Sequence, residues 1–135
     1  MNVDYAFLAD MAQAAPDGKI NAIGAGIDRI LATSFPTVQP MLAFVVRINV
    51  AASECDHEHK LEVQLWDPDG ARIGPQLNGS ILAHRDPQHP TRAAHAQLAM
   101  MMIGIPFHKA GDYAFHILVD GHEQQVLPLF IEIKN

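Results

Sequence analysis

Histidine is the residue type in this sequence with the most obvious potential for chemistry. The chain contains 8 histidines, and two of them, His57 and His59, have the spacing of metal ligands on a strand. Residues two apart in an extended strand point to the same face, and neutral imidazole is a common zinc ligand. The local pattern lacks a third ligand, because Glu62 would point to the opposite face from His59. Since histidines at a loop-to-strand boundary are usually solvated, we predict no bound metal and no cofactor.

An enzyme that uses the histidine-rich segments 57–59 and 84–95 with a metal ion or a small molecule remains an alternative. The common nucleophile patterns do not favour it. No serine lies in a Gly-x-Ser-x-Gly sequence, and Cys55 stands between two acidic residues, which disfavour the reactive thiolate. Asp67, Asp69 and Asp120 could bind Ca²⁺, but turn formation alone explains aspartates at these positions. We therefore assign no catalytic residue.

Charge and composition exclude several classes of function. The formal net charge is -6, and the 9 basic residues are scattered singly along the chain, so we predict no nucleic-acid binding. The N-terminal segment has no basic stretch followed by an apolar one, which predicts neither a signal peptide nor a membrane span. A single cysteine is typical of a reducing compartment, so we expect a cytoplasmic protein.

The elements that must position these residues are β-strands, because large apolar residues recur at every second position in run after run. Four runs show this best: Met41 to Ala52, His59 to Trp66, Asp112 to Val119 and Gln124 to Ile133. Residues 92–102 are rich in helix formers, but their alternation also fits a strand. We predict an all-β protein: one domain over residues 1–135, folded as an antiparallel β-sandwich of about 7–8 strands, immunoglobulin-like or C2-like.

Turn residues set the expected boundaries of the other elements. The first strand should run from Asp4 to Ala14, and its return from Ile20 to Ala32, with a bulge or a close backbone crossing at Gly24-Ala25-Gly26. Residues 33–40 contain two prolines and should be a connection rather than part of a central strand. Residues 75–90 are polar and form the longest predicted loop, which is the kind of segment that often carries function.

One short motif predicts a structural role for a tyrosine. In the segment Gly111-Asp112-Tyr113-Ala114-Phe115, the tyrosine opens a strand. A glycine lies two residues before it, and a large core residue lies two residues after it. This pattern resembles the tyrosine corner of immunoglobulin-like domains. We expect the Tyr113 hydroxyl to bind nearby backbone while its ring packs, with Gly111 shaping the corner.

At larger scale, the chain resembles an uncharacterised family of small bacterial β-sandwich proteins of unknown function. The resemblance spans nearly the whole chain and rests mainly on turns and core positions. The segments that carry it are Val3-Asp4-Tyr5-Ala6 with Ala9-Asp10, Gly18-Lys19 leading to Gly24, Phe35-Pro36, His59 to Leu65 with Asp67-Pro68-Asp69-Gly70, Gly111 to Phe115, and Leu127-Pro128-Leu129. It implies a fold and no activity.

The outward-facing residues of the predicted strands are unusually apolar. Only 18% of the residues are charged whereas 49% are hydrophobic, and the second face of the strands carries small and apolar side chains where a solvated sheet would carry Lys, Glu and Thr. The candidate interface residues are Val45, Met101, Leu118 and Phe130. We predict a non-enzymatic interaction or structural module that forms a homo-oligomer through a sheet face; a subunit of a larger assembly is the other alternative.

Overall fold

The computed structural model describes residues 1–135, and the chain is all-β, as the alternation predicts. Ten strands form three sheets. The strands are β1 (Asn2–Ala9), β2 (Met11–Ala14), β3 (Ile20–Ile23), β4 (Arg29–Ala32), β5 (Thr37–Val50), β6 (His59–Trp66), β7 (Arg72–Ile81), β8 (Ala94–Phe107), β9 (Gly111–Val119) and β10 (His122–Ile133). One 3-10 turn, Ala52–Glu54, lies between β5 and β6. No helix in the structure has the length and apolar character needed to span a membrane.

The smaller of the two main sheets has three antiparallel strands in the order β1-β5-β8. Its central strand β5 is buried on both faces over residues 42–46. Leu42, Phe44 and Val46 face the main core as predicted, but Ala43 and Val45 on the opposite face are also completely inaccessible to solvent. Something in the chain itself must therefore cover the outer face of this sheet.

The larger sheet has five strands in the order β4-β10-β9-β6-β7. All its pairs are antiparallel except β4 with β10, which is parallel, so the predicted antiparallel arrangement holds for every pair but this one. The inner faces of the two main sheets contribute to one cluster of 21 buried residues, which runs in sequence from Leu8 to Ile131. The ring centroids of Phe44 and Phe115, one from each sheet, are 5.8 Å apart in this core.

The first predicted strand and its return are each divided in two. The chain turns at Asp10, so that β2 and β3 form a separate hairpin, and β4 joins the other sheet. Gly24 adopts a φ of +67°, and a Cβ there would lie 2.1 Å from Asp10 Oδ2. The amides of Gly26 and Ile27 donate to the Leu8 carbonyl oxygen at 2.9 and 3.1 Å. This segment is therefore a close backbone crossing, one of the two possibilities that the sequence leaves open.

Two predicted connections are shorter than expected. β5 begins at Thr37, so the second half of residues 33–40 belongs to a strand that becomes central further on. Pro40 is tolerated because only β8 pairs with β5 at that level. Residues 72–81 form the edge strand β7, and the actual loop is 82–93. The expectation of a functional loop over 75–90 is thus wrong for its first part, whose polar composition reflects exposure at a sheet edge.

Candidate functional site

The strongest polar network in the fold is centred on His59, the first residue of β6. Its Nε2 lies 2.8 Å from the backbone carbonyl oxygen of Glu54, and its Nδ1 lies 2.7 Å from Asp120 Oδ2. Asp120 occupies the two-residue turn between β9 and β10 with a φ of +51°. Its Oδ1 accepts a hydrogen bond from the Lys60 amide at 2.9 Å. His59 therefore links the β5–β6 connection to the β9–β10 turn.

The electrostatics of this network are set by its hydrogen bonds. The Glu54 carbonyl, followed by the Asp120 carboxylate, raises the pKa of His59 above its ordinary value. Reciprocally, the bond from His59 and then the Lys60 amide lower the pKa of Asp120. The N-terminal ammonium of Met1 lies 3.0 Å from Glu54 Oε1 and lowers the pKa of that carboxyl group. When His59 is protonated, these four charged groups alternate in sign across one end of the sheet.

The structure does not bring together the residues considered as candidate metal ligands. His59 has both ring nitrogens engaged with protein groups, and His57 is exposed in the preceding bend. The aspartates considered for calcium are also separated: Asp67 accepts from the amides of Asp69 and Ala71 within the β6–β7 turn, whereas Asp120 lies in the β9–β10 turn. No group of three or more His, Cys, Asp or Glu side chains in the chain could hold a metal ion.

The nucleophile candidates are likewise placed in structural roles. Cys55 is 2% exposed, and its Sγ contacts the Ala51 carbonyl oxygen at 3.5 Å, so the thiol is buried rather than free at the surface. Ser80 donates a hydrogen bond to Glu58 Oε1 at 2.6 Å beside a shallow, wholly polar cleft next to His59. Neither side chain is hydrogen-bonded to a histidine, so the structure forms no Ser-His or Cys-His pair here.

The tyrosine and glycine of the predicted corner have structural contacts. The Tyr113 hydroxyl donates to the Lys109 carbonyl oxygen, four residues upstream, at 2.8 Å, and the ring packs edge-to-face against Phe107. Gly111 has a φ of +149°, and a Cβ there would lie 2.5 Å from Pro68 Cγ. The corner therefore needs a glycine for both conformation and space.

One predicted interface residue is not available for an interface, because the chain covers it. Val45 has an exposed fraction of 0% and belongs to a small second core with Ala9, Ala12 and Ala43. The β2–β3 hairpin folds back over the outer face of the three-stranded sheet, and its Ala12 and Ile20 pack in this core. The expectation that Val45 lies on an open face is wrong, and the covering element is the hairpin rather than the 75–90 segment.

The hairpin leaves part of that sheet face uncovered. Met101 is 36% exposed, Met41 38%, and Ile103 74%; the strand register places all three on the same outer face as Ala43. The cross-strand pair Met11 and Ile23 of the hairpin is also exposed. We call these five residues the hairpin surface.

The segments that form the hairpin surface contain no Asp, Glu, Lys or Arg. They are residues 11–16, 20–27, 30–46 and 93–108, which together include the hairpin strands, most of β5 and all of β8. The turn that joins the hairpin strands carries Asp17 and Lys19. In a chain with a net charge of -6, such an extended uncharged region is unusual. Sequence reasoning missed this grouping because it depends on the hairpin; the signal in the sequence is the absence of charge from these four segments.

The other two interface candidates lie on the opposite side of the fold. Leu118 and Phe130 are partly exposed on the outer face of the five-stranded sheet. That face also carries charged groups, including the Arg29–Glu132 ion pair at 3.3 Å. Trp66 stacks on His116 there with ring centroids 4.1 Å apart. The four predicted residues therefore do not form one surface, and only Met101 belongs to the uncharged one.

Comparison with known proteins identifies a family but no activity. The model of a family of unknown function, DUF6941, matches residues 4–132. No curated protein matches the chain.

Proposed function

We propose that this chain, which belongs to the family of unknown function DUF6941, is a non-enzymatic interaction or structural module that self-associates through its hairpin surface. The observation that carries the proposal is the coincidence of exposed apolar side chains with an uncharged region. Ile103 and Ile23 are 74% and 68% exposed, far more than apolar residues that serve only the core. Large apolar side chains grouped at a surface are typical of contact sites.

The occupant that fits this surface best is a second copy of the chain. Each copy carries a net charge of -6, so two copies repel each other wherever their charged faces approach. The hairpin surface is where acidic chains can meet without placing like charges together. A typical stable interface covers roughly 800 Å² on each partner, about a tenth of the 7538 Å² that one chain exposes. The contact would therefore extend past the five side chains into the surrounding uncharged segments.

The proposal includes a fold and a location. An immunoglobulin-like or C2-like sandwich is supported by the core shared between the two main sheets and by the Tyr113 hydrogen bond to Lys109. The parallel β4–β10 pair and the covering hairpin would be additions to such a sandwich. A cytoplasmic location is supported by the single, buried Cys55, which has no disulfide partner.

The test is the mass of the protein in solution, measured by light scattering over concentrations from micromolar to submillimolar. We expect the wild type to show a multiple of the 14.8 kDa chain mass. The double variant Met101→Lys with Ile103→Lys places two charges on the hairpin surface and should return the mass to that of one chain, because a charge in an apolar contact without a partner is costly. Both side chains are exposed, so the circular dichroism spectrum should not change.

The matched control is Leu118→Lys with Val126→Lys, which adds the same charge to the outer face of the five-stranded sheet. This variant should keep the wild-type mass. A wild type that is monomeric at every concentration would refute self-association. A control variant that dissociates while the Met101 and Ile103 variant does not would assign the contact to the other sheet and overturn the choice of surface.

A further inference from the structure

The geometry around His59 carries an inference that is independent of self-association. Both atoms that its ring nitrogens face are hydrogen-bond acceptors: the Glu54 backbone carbonyl oxygen at 2.8 Å and Asp120 Oδ2 at 2.7 Å. A neutral imidazole carries a single N–H and can satisfy only one of them. Both contacts are attractive only when the ring is protonated on both nitrogens.

We infer that His59 is a pH-sensitive clamp, which as an imidazolium ties the β5–β6 connection to the β9–β10 turn and as a neutral imidazole releases the Glu54 carbonyl. Asp120 is the stronger acceptor because it is ionised, so the remaining proton stays on Nδ1. The lone pair of Nε2 then faces the lone pairs of the carbonyl oxygen, and this contact becomes repulsive. The segment that is freed begins with the 3-10 turn Ala52–Glu54.

The charged groups around the ring favour its protonated form. Glu54, from the β5–β6 connection, and Asp120, from the β9–β10 turn, both favour the imidazolium. Glu58 and Lys60 flank His59 in sequence and line the cleft beside it. The remaining neighbours are the Met1 ammonium, which contacts Glu54 Oε1, and the His122 side chain, which contributes to the lowered pKa of Asp120. Glu54 contacts the ring through its backbone carbonyl oxygen and Asp120 through its carboxylate. The Lys60 ammonium group instead pairs with Glu62 Oε1 at 3.2 Å.

The sign of the pH dependence follows from the direction of the shift. Because the folded-state pKa of His59 is raised above 6.5, the clamp is fully in place below pH 6.5 and is lost as the pH rises through the raised value. At acidic pH a different group opens the clamp. Protonation of Asp120 removes the carboxylate acceptor, but only at a pH below the ordinary titration range of an aspartate. The clamp therefore holds between the acidic titration of Asp120 and the raised pKa of His59, and it opens as the pH rises through the latter.

Hydrogen exchange and NMR on the intact chain test the clamp. The amides of Glu54, Cys55 and Asp56 donate to Ala51, Ala52 and Ala83, so their protection reports whether this segment is held. On raising the pH through the His59 titration, we expect their protection factors to fall about three- to tenfold, as the loss of one hydrogen bond typically causes. The Lys60 amide, held by Asp120, should keep its protection.

Substitution separates the clamp from general pH effects. His59→Gln provides one amide donor group and no titration, so protection of the three amides should be low and independent of pH. His57→Gln changes an exposed neighbour without these contacts and should retain the wild-type pH dependence. If His59→Gln does not fold, ¹⁵N spectra of the wild-type imidazole still decide. A ring that is neutral at pH 6, or amide protection that is constant through the His59 titration, would overturn the inference.

Discussion

Substitution of Val45 tests whether the β2–β3 hairpin covers the outer face of the three-stranded sheet. Val45 is completely buried, and the residues around it in the second core, Ala9, Ala12 and Ala43, are small. Val45→Ala removes two carbon atoms. At about 0.8 kcal/mol per buried methylene, transfer alone accounts for about 1.6 kcal/mol. The cavity left between sheet and hairpin should bring the loss of unfolding free energy to about 2–3 kcal/mol.

The matched control is Val126→Ala on β10. It makes the same chemical change, and the same loss of β-propensity, at a position that is 40% exposed on the outer face of the other sheet. We expect it to cost less than about 1 kcal/mol, as is usual for surface substitutions. The assay is urea denaturation of both variants at one fixed protein concentration, because association would make the apparent stability depend on concentration.

The comparison between the two valines decides the question. If Val45→Ala costs no more than Val126→Ala, the side chain is not buried in the folded protein and the hairpin does not cover the sheet. A second variant approaches the same contact from the hairpin: Ala12→Asp places a carboxylate at a position that is 6% exposed. It should be at least as destabilising as Val45→Ala, since no cation in the second core can pair with it.

Three further predictions concern the corner and the turn. In chemical denaturation, Phe115→Ala should cost about 3–5 kcal/mol as a core deletion, whereas Tyr113→Phe should cost about 1 kcal/mol through one lost hydrogen bond; equal costs would contradict the assignment. Gly111→Ala should lower the melting temperature more than alanine at the solvent-exposed Gly121, because only Gly111 has Pro68 within contact range of a new Cβ. Asp120→Asn keeps a residue that tolerates positive φ but removes the charge. Measured by unfolding at a series of pH values, its loss of stability relative to wild type should be full from the ordinary aspartate pKa of 3.8 up to the His59 titration, and should vanish as the pH falls through the lowered pKa of Asp120.

The inner faces of the strands could be predicted from the sequence because alternation is a local property. Phe44, Ile117 and Leu129 point into the core as their period of two requires, and residues 94–107 are extended despite their helix propensity. The antiparallel ladder with β5 outweighs that propensity, which amounts to only a few tenths of a kcal/mol per residue. The prediction of an all-β chain therefore rests on the strongest signal that the sequence contains.

The covering of the second face could not be predicted in the same way. Alternation identifies Val45 as opposite to Phe44, but it does not identify which other segment reaches that face. The answer depends on the corner at Asp10 and on the close approach of Gly24 to it, where Asp10 donates its amide to the Gly24 carbonyl at 3.3 Å. These residues are distant in sequence from β5, and each is individually compatible with a continuous strand or a bulge.

For His59, too, the residue type and the strand position can be predicted from the sequence, whereas the hydrogen-bond partners cannot. The sequence indicates that His59 begins a strand, but its partners are a backbone carbonyl five residues earlier and a carboxylate 61 residues later. A backbone acceptor has no signature in the sequence. Spacing alone therefore offers His57 and His59 as a pair of candidate ligands without a third, and the fold separates their roles.

The burial of Val45 removes one reason to expect association and leaves a more specific one. The apolar surplus of the composition is partly absorbed by the second core, so the surplus alone no longer requires a partner. What remains outside, on Ile23 and Ile103 above all, is concentrated where the chain has no charged residue. An apolar surface that served only to fill space would gain solubility from a nearby Lys or Glu at little cost in stability. Their absence from four separate segments that the fold brings together is what an interface requires, since each buried charge would oppose association.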